Sequence, residues 1–129
     1  MNDSKLTHED ITPLEAAAYI DDHLLALLGG GNAERYTVGG HSIAVKRKGE
    51  TVGVVTFSLD GVYPLIHPKV KRKHAIYAKR VCDIGLDYLK SIGFKVAVAV
   101  IPSTFKPNVK IAEACGMNNI YDDLYEVAL

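Results

Sequence analysis

The chain has 129 residues, a formal net charge of zero and two cysteines. That length is enough for one domain with a core and short for two. Neutrality removes any global field that would draw the chain to nucleic acid or an acidic membrane, and no apolar run of about 18 residues is present to cross a bilayer.

The first ten residues, MNDSKLTHED, are polar and lack the apolar core of a secretory signal. They read as a tail or a weak first strand ahead of a single domain over 11–129. In ITPLEAAAYIDDHLLALLGGG, Thr12 is placed as an N-cap, Pro13 suits the first helical position and Glu15 completes a capping box. Ala17, Ile20, Leu24, Leu27 and Leu28 repeat at helical spacing and predict one helix with one buried face. Gly29, Gly30 and Gly31 end it. A phosphate loop follows a strand and precedes a helix, whereas this triplet follows a helix and precedes a polar loop, so it reads as a terminator and flexible connection.

From Ser42 the period changes. SIAVKR, TVGVVTFS and VYPLIH are short, rich in β-branched residues and separated by turn-like KGE and LDG, which predicts an antiparallel meander. Lys46 to Lys48 read as a solvated turn, and Gly53 as a bulge or a close approach of another backbone. A long helix follows Pro68, with His74, Tyr77, Ala78, Val81, Cys82, Gly85, Tyr88, Leu89 and Ile92 on one stripe. FKVAVAVIP is apolar enough for a central strand, with Val96, Val98 and Val100 on one side. KPNVKIAEACG reads as a short helix and IYDDLYEVAL as a final strand or hairpin arm. Cys82 and Cys115, in apolar helical surroundings, make neither metal motif nor disulfide framework, and read as two reduced thiols in a cytoplasmic protein. The fold class is α/β (α+β): helices on a mixed, mostly antiparallel sheet, with one parallel crossover supplied by the strand–helix–strand step.

One segment concentrates positive charge. HPKVKRKHAIYAKR holds Lys69, Lys71, Arg72 and Lys73, then Lys79 and Arg80, with no acid among them. It lies after a strand and at the start of a helix, where free backbone N–H groups and the positive helix end favour anions. A compact phosphate ligand fits this turn better than a long polyanion, so nucleic acid is not the expected partner, and a merely solvated charged face is the plain alternative.

The run from SIAVKRKGETVGVVTFS through VYPLIHPKVKRKHAIYAKRVCDIGLDYLKSIGFKVAVAVIP to NVKIAEACGM resembles the GNAT (Gcn5-related) N-acetyltransferases over nearly the whole chain. KGETVG is similar to the family's hairpin. IHPKVKRKHAI is similar to the end of its fourth strand and its acetyl-CoA pyrophosphate loop, and NVKIAEACGM to its fourth helix. The resemblance implies a GNAT-like acyl-CoA N-acyltransferase fold, acetyl-CoA as cofactor without a metal, and transfer of an acetyl group to an amine of an unspecified acceptor. It places cofactor contacts at the Leu65 and Ile66 backbone, at Lys71, Arg72 and Lys73 with His74, Ala75 and Ile76 in the same loop, and at Asn108. Asn108 also reads as an ordinary polar residue of a helix N-terminus, and His74, on the apolar stripe, as a buried and satisfied histidine.

The chain departs from the family pattern in its loop, where the two glycine positions fall on His74 and Ile76 or, one residue later in the first role, on Ala75. Side chains there obstruct backbone approach to a pyrophosphate. Ala112 stands where many members carry an acid-donating tyrosine, Met117 replaces a phenylalanine, and there is little room for a second helix. A similar glycine-free basic loop occurs in GNAT-like proteins of T7-type phages, which this sequence also resembles.

Acetyl transfer to an amine needs a base, a polarising backbone donor and an acid for the thiolate. His67, Tyr63 and Asp60 are the candidate bases, and His67 titrates in a suitable range. Tyr121 is the candidate acid in place of Ala112. Each also has a plain reading, His67 as a solvent-facing strand-end histidine and Tyr121 as a core or rim tyrosine. Two functions follow: an acetyltransferase, or a GNAT-fold protein without catalysis, phage-encoded, binding a host or virion protein. Loops 29–41 and 118–124 border the acceptor site without distinctive chemistry, and apolar residues in the last strand would support a homodimer.

Overall fold

Seven strands and four α-helices are described by a computed structural model covering residues 5–129. The strands are β1 (Thr7–Ile11), β2 (His41–Arg47), β3 (Glu50–Ser58), β4 (Leu65–Lys69), β5 (Val96–Val100), β6 (Asn118–Tyr121) and β7 (Leu124–Ala128). They form one sheet in the order β1-β2-β3-β4-β5-β7-β6. Every neighbouring pair is antiparallel except β4 with β5. The expected meander is β2–β3–β4, and of the two expectations for the closing segment it is the hairpin, β6–β7, that forms.

Local chemistry explains the turns. Lys48 and Gly49, both with positive φ, make the β2–β3 turn that suits the twist of flanking strands. Lys46 does not simply meet water there, because its ammonium pairs with Glu9 on β1 at 2.7 Å. At Gly53 the bulge is present, and what comes close is a side chain rather than another backbone. The register slips between Val45 and Lys46, opposite Gly53 and Thr51, and a Cβ on Gly53 would stand 2.6 Å from Val81 Cγ2.

The helices are α1 (Pro13–Tyr19), α2 (Asp22–Leu28), α3 (Ala78–Ser91) and α4 (Lys106–Ala114). The first two correct the expectation of one continuous helix. Thr12 and Glu15 form the capping box as read, but Ile20 is extended and the Asp21 carboxylate accepts the Leu24 N–H at 2.9 Å. Aspartate is a strong N-cap, so it starts a second helix where the apolar spacing alone runs through. α1 and α2 lay Ala16, Tyr19 and Leu24 on Val54, on one face of the sheet. α3 covers the other, its Val81, Cys82, Leu86 and Leu89 buried against Ile43, Val45, Val55, Phe57 and Ile66.

Two further expectations change. β4 runs through Pro68 to Lys69, and residues Arg72–Tyr77 form a 3-10 helix before α3 begins. In the central strand β5 it is Ala97 and Ala99 that are buried, while Val100 is exposed. Ala97 and Ala99 join the core cluster with Val81, Leu89, Ala112 and Tyr125. The two cysteines, far apart in sequence, are neighbours in space. Cys115 donates its thiol hydrogen to the Lys79 carbonyl at 3.6 Å, and the adjacent Cys82 thiol, then burial, pushes the Cys115 thiol up.

Packing of α3 on the sheet supplies a test. Gly53→Ala forces Val81 or the helix to move and should lower the denaturation free energy by about 1–3 kcal/mol. Gly61→Ala meets only an ordinary contact with Tyr63 at 3.6 Å and should stay within about 0.5 kcal/mol of the parent. Equal denaturant midpoints for the two variants would contradict this packing.

Candidate active site

β4 and β5 share one registered pair, Leu65 with Val98, and the Val98 N–H donates to the Pro64 carbonyl at 3.0 Å. Beyond it the strands part. Pro68 lies inside β4, and proline has no N–H for a ladder, so a strand containing it suits an open edge. β4 keeps β3 on one side, from Ser58–Leu65 to Val54–Lys69, and leaves β5 on the other. A cleft of about 620 Å³ opens from this gap, its walls reaching from Ala78, Cys82, Ile111 and Ala112 on α3 and α4 to Leu24, Leu27 and Leu28 on α2.

The polar loop after α2 is built rather than flexible. Tyr36 donates its hydroxyl hydrogen to the Gly30 carbonyl at 2.7 Å, and buried Thr37 donates to the Pro13 carbonyl at 2.9 Å. These bonds hold a 3-10 turn, Ala33–Tyr36, that brings Arg35, Tyr36 and Val38 to the cleft. Nothing in the composition of 29–41 announced this. The tie depends on contacts with α1.

The basic turn lies at the open end of β4. The His74 side chain turns inward. Its Nδ1 is 2.8 Å from the Tyr19 hydroxyl and its Nε2 is 3.2 Å from a Glu50 carboxylate oxygen. A carboxylate only accepts, so in the neutral ring Nε2 carries the hydrogen and Tyr19 donates to Nδ1. The same hydroxyl accepts the Lys71 N–H at 2.9 Å, and the Lys71 ammonium sits 4.7 Å from the Tyr19 ring centroid. Burial pushes the Tyr19 phenol up to about 12. Ile76, by contrast, is 83% exposed. Thus the two residues at the expected glycine positions direct their side chains into the core and into solvent. Ala75, with its single methyl, is the loop residue that lines the cleft, while Arg72 and Lys73 are exposed around it.

His67 and Lys69 project from alternate positions of β4 and both line the cleft. His67 is half-buried rather than a solvent-facing strand end. Burial, and then the charge of Lys69, holds its imidazole below the usual histidine range. Lys69 is not part of the exposed charge of the turn. It is 2% exposed, its ammonium donates to the His67 carbonyl at 3.3 Å, and burial pushes it down to about 8. The missed signal is strand parity: once β4 extends past Pro68, Lys69 shares the His67 face.

The other anticipated residues are spread more widely. Asn108, in the first turn of α4, lines the cleft, as do Ile66, Ala112 and Met117. Leu65 sits at the branch point itself. Tyr63 is 54% exposed in the loop before β4, near Asp60, and Tyr121 is 73% exposed at the β6–β7 hairpin. Neither tyrosine lines the cleft. Among the described residues no group of His, Cys, Asp and Glu could hold a metal ion, and no helix is long and apolar enough to cross a membrane.

Two variants test these electrostatics. Between pH about 8 and 10.5 the unfolded Lys69 holds a proton that the folded one has shed, so stability rises with pH across that window. Lys69→Met should remove the rise and stabilise the protein by about 1–3 kcal/mol at pH 7, read from denaturation at several pH values. The raised Tyr19 acts in the opposite sense above its ordinary value of 10.0, so the comparison is made below that. Tyr19→Phe strands the Lys71 N–H and His74 Nδ1 and should cost about 1–3 kcal/mol. An unchanged midpoint would deny the bridge.

No family model and no curated protein matches the sequence. Solved structures do match in fold. A domain from Methanocaldococcus jannaschii DSM 2661 superposes with a TM-score of 0.77 at 21% identity, covering 98% of this chain and 100% of that one. An acetyltransferase from Thermus thermophilus gives 0.74 at 15% identity over 100% of both chains. An acetyltransferase from Bacillus subtilis, solved in complex with CoA, gives 0.71 at 15% identity, covering 97% of this chain and 99% of that one. At these identities the likeness is one of fold, and the chain has the GNAT-like fold, with its mostly antiparallel sheet parted between β4 and β5.

Proposed function

We propose that the chain is an N-acetyltransferase that moves the acetyl group of acetyl-CoA to an amine. The observation that carries this reading is the parting of β4 from β5 with a basic turn at its open end. The site fits the group. Arg72 and Lys73, with the first-turn N–H groups of the 3-10 helix, hold the pyrophosphate. The β4 backbone at Leu65 and Ile66, Ala75 and Asn108 flank the arm that enters the cleft. The enclosed side chain of His74 serves by holding Lys71 and the turn in place.

Acetyl-CoA supplies an activated thioester. His67 acts as the base. Burial and the neighbouring Lys69 charge keep its imidazole neutral near pH 7, so it can take the proton of an acceptor ammonium. The freed amine then attacks the carbonyl. The new C–N bond replaces the C–S bond, and the second proton that the nitrogen sheds as it becomes an amide passes through water to the leaving thiolate, because Ala112 offers none. Tyr63 and Asp60 lie outside the cleft walls, which favours His67 as the base, and Tyr121 lies outside them too, which favours water over it as the acid. Positioning in the cleft supplies much of the remaining acceleration.

Calorimetry with acetyl-CoA tests the reading. The parent should bind saturably, and Lys71→Ala/Arg72→Ala/Lys73→Ala should lose about 10-fold or more in affinity through its missing charge-assisted contacts. His67→Gln should keep that affinity and lower turnover about 100-fold. A folded parent that binds no acetyl-CoA at millimolar concentration would instead return the chain to a non-catalytic, protein-binding scaffold, whether phage-encoded or not.

A further inference from the structure

The cleft has a lopsided chemistry. No aspartate or glutamate lines it, whereas Arg35, His67 and Lys69 do. An acceptor presenting only ammonium groups would meet like charge and no counter-charge.

Lys69 is the sharper observation. Its ammonium is buried, faces the cleft and has no acidic partner among the described residues, its recorded bond being to the neutral His67 carbonyl. A buried cation without a counter-charge is costly, and an anionic group arriving in the cleft would relieve it. Arg35 lies on the exposed rim, likewise without an acidic partner among the described residues, held by the anchored turn at Thr37. A guanidinium suits the planar, two-oxygen geometry of a carboxylate.

The rest of this wall is apolar. Leu24, Leu27, Leu28 and Val38 line it, and Leu27 and Val38 are 50% and 71% exposed. These are large hydrophobic side chains left open beside the charges, as in a pocket that takes an apolar body and orients it by a few polar groups.

We propose that the acceptor is an apolar amine that also carries a carboxylate, namely a free α-amino acid with an aliphatic or aromatic side chain. This rests on the acetyltransferase reading above. The carboxylate is held by Arg35 and Lys69, the side chain lies on the α2 leucines, and the amine is left toward His67. The transfer balances as before: the ammonium loses one proton to His67, C–N forms, C–S breaks, and the nitrogen's second proton passes through water to the thiolate.

The experiment measures acetyl transfer to leucine, leucinamide, spermidine and a leucyl-aspartate dipeptide, with acetyl-CoA affinity measured on the same samples. Leucine should be acetylated with a kcat/KM at least about 10-fold above leucinamide, which lacks the anion. Spermidine should be the poorest. Arg35→Ala should raise KM for leucine, erase its advantage over leucinamide and leave acetyl-CoA affinity unchanged. Because Arg35 is exposed, the variant should fold. Lys69→Met should likewise erase the preference. If acetyl-CoA binds but leucinamide or spermidine is used as well as leucine, the inference is overturned while the acetyltransferase reading stands. A dipeptide preferred over leucine would move the anion to a peptide and overturn the free amino acid. Absence of acetyl-CoA binding would overturn both.

Discussion

One registered pair, Leu65 with Val98, joins β4 to β5, and the site exists because the strands part after it. Packing on both sides of the gap keeps it open. Ile66 is locked beneath α3, where a Cβ on Gly85 would stand 2.9 Å from its Cδ1. β3 holds the far edge of β4 as far as Lys69, and β7 holds β5 along its whole length. Pro68 removes a ladder donor from β4. The strands are therefore anchored outward, and the gap between them is a property of the packed sheet.

The basic turn lacks the glycines that the family resemblance implies there. Here the positions are filled, and the chain redirects the side chains instead. His74 is drawn into the core between Tyr19 and Glu50, while Ile76 is left in solvent. The Tyr19 hydroxyl ties α1 to this turn through the Lys71 N–H. Helix α1 thus stabilises the loop from below, linking the N-terminal half of the chain to the mouth of the cleft.

His67 and Lys69 form a coupled unit. Lys69 is a liability for folding, because burial disfavours its charged form. The same charge helps hold His67 neutral. A group that costs stability and tunes its neighbour is characteristic of working sites, and the apolar, carboxylate-free wall opposite gives the pair its context.

Much of the fold was legible because its signals are local. The capping box at Thr12, the tight turn at KGE, the stripe of α3 and the order of elements all follow from residues a few positions apart, and so does the positive charge of the turn after β4. Asp21 was a local signal overlooked, since its capping carboxylate outweighs apolar spacing that runs on past it. The remainder depended on long-range packing. Whether Lys69 is buried or solvated is decided by how far β4 runs and by the walls of the cleft it lines. Arg35 reaches the cleft only because Thr37 bonds to Pro13, and Tyr121 misses it because the last hairpin ends at the edge of the sheet. The sequence by itself determined the elements, their order and the charge of the turn, because hydrophobic period and turn chemistry act between neighbours in the chain. Only the tertiary structure decided which polar side chains share the cleft and in what ionisation state, because burial and counter-charge are set by residues that meet only when the sheet and helices close.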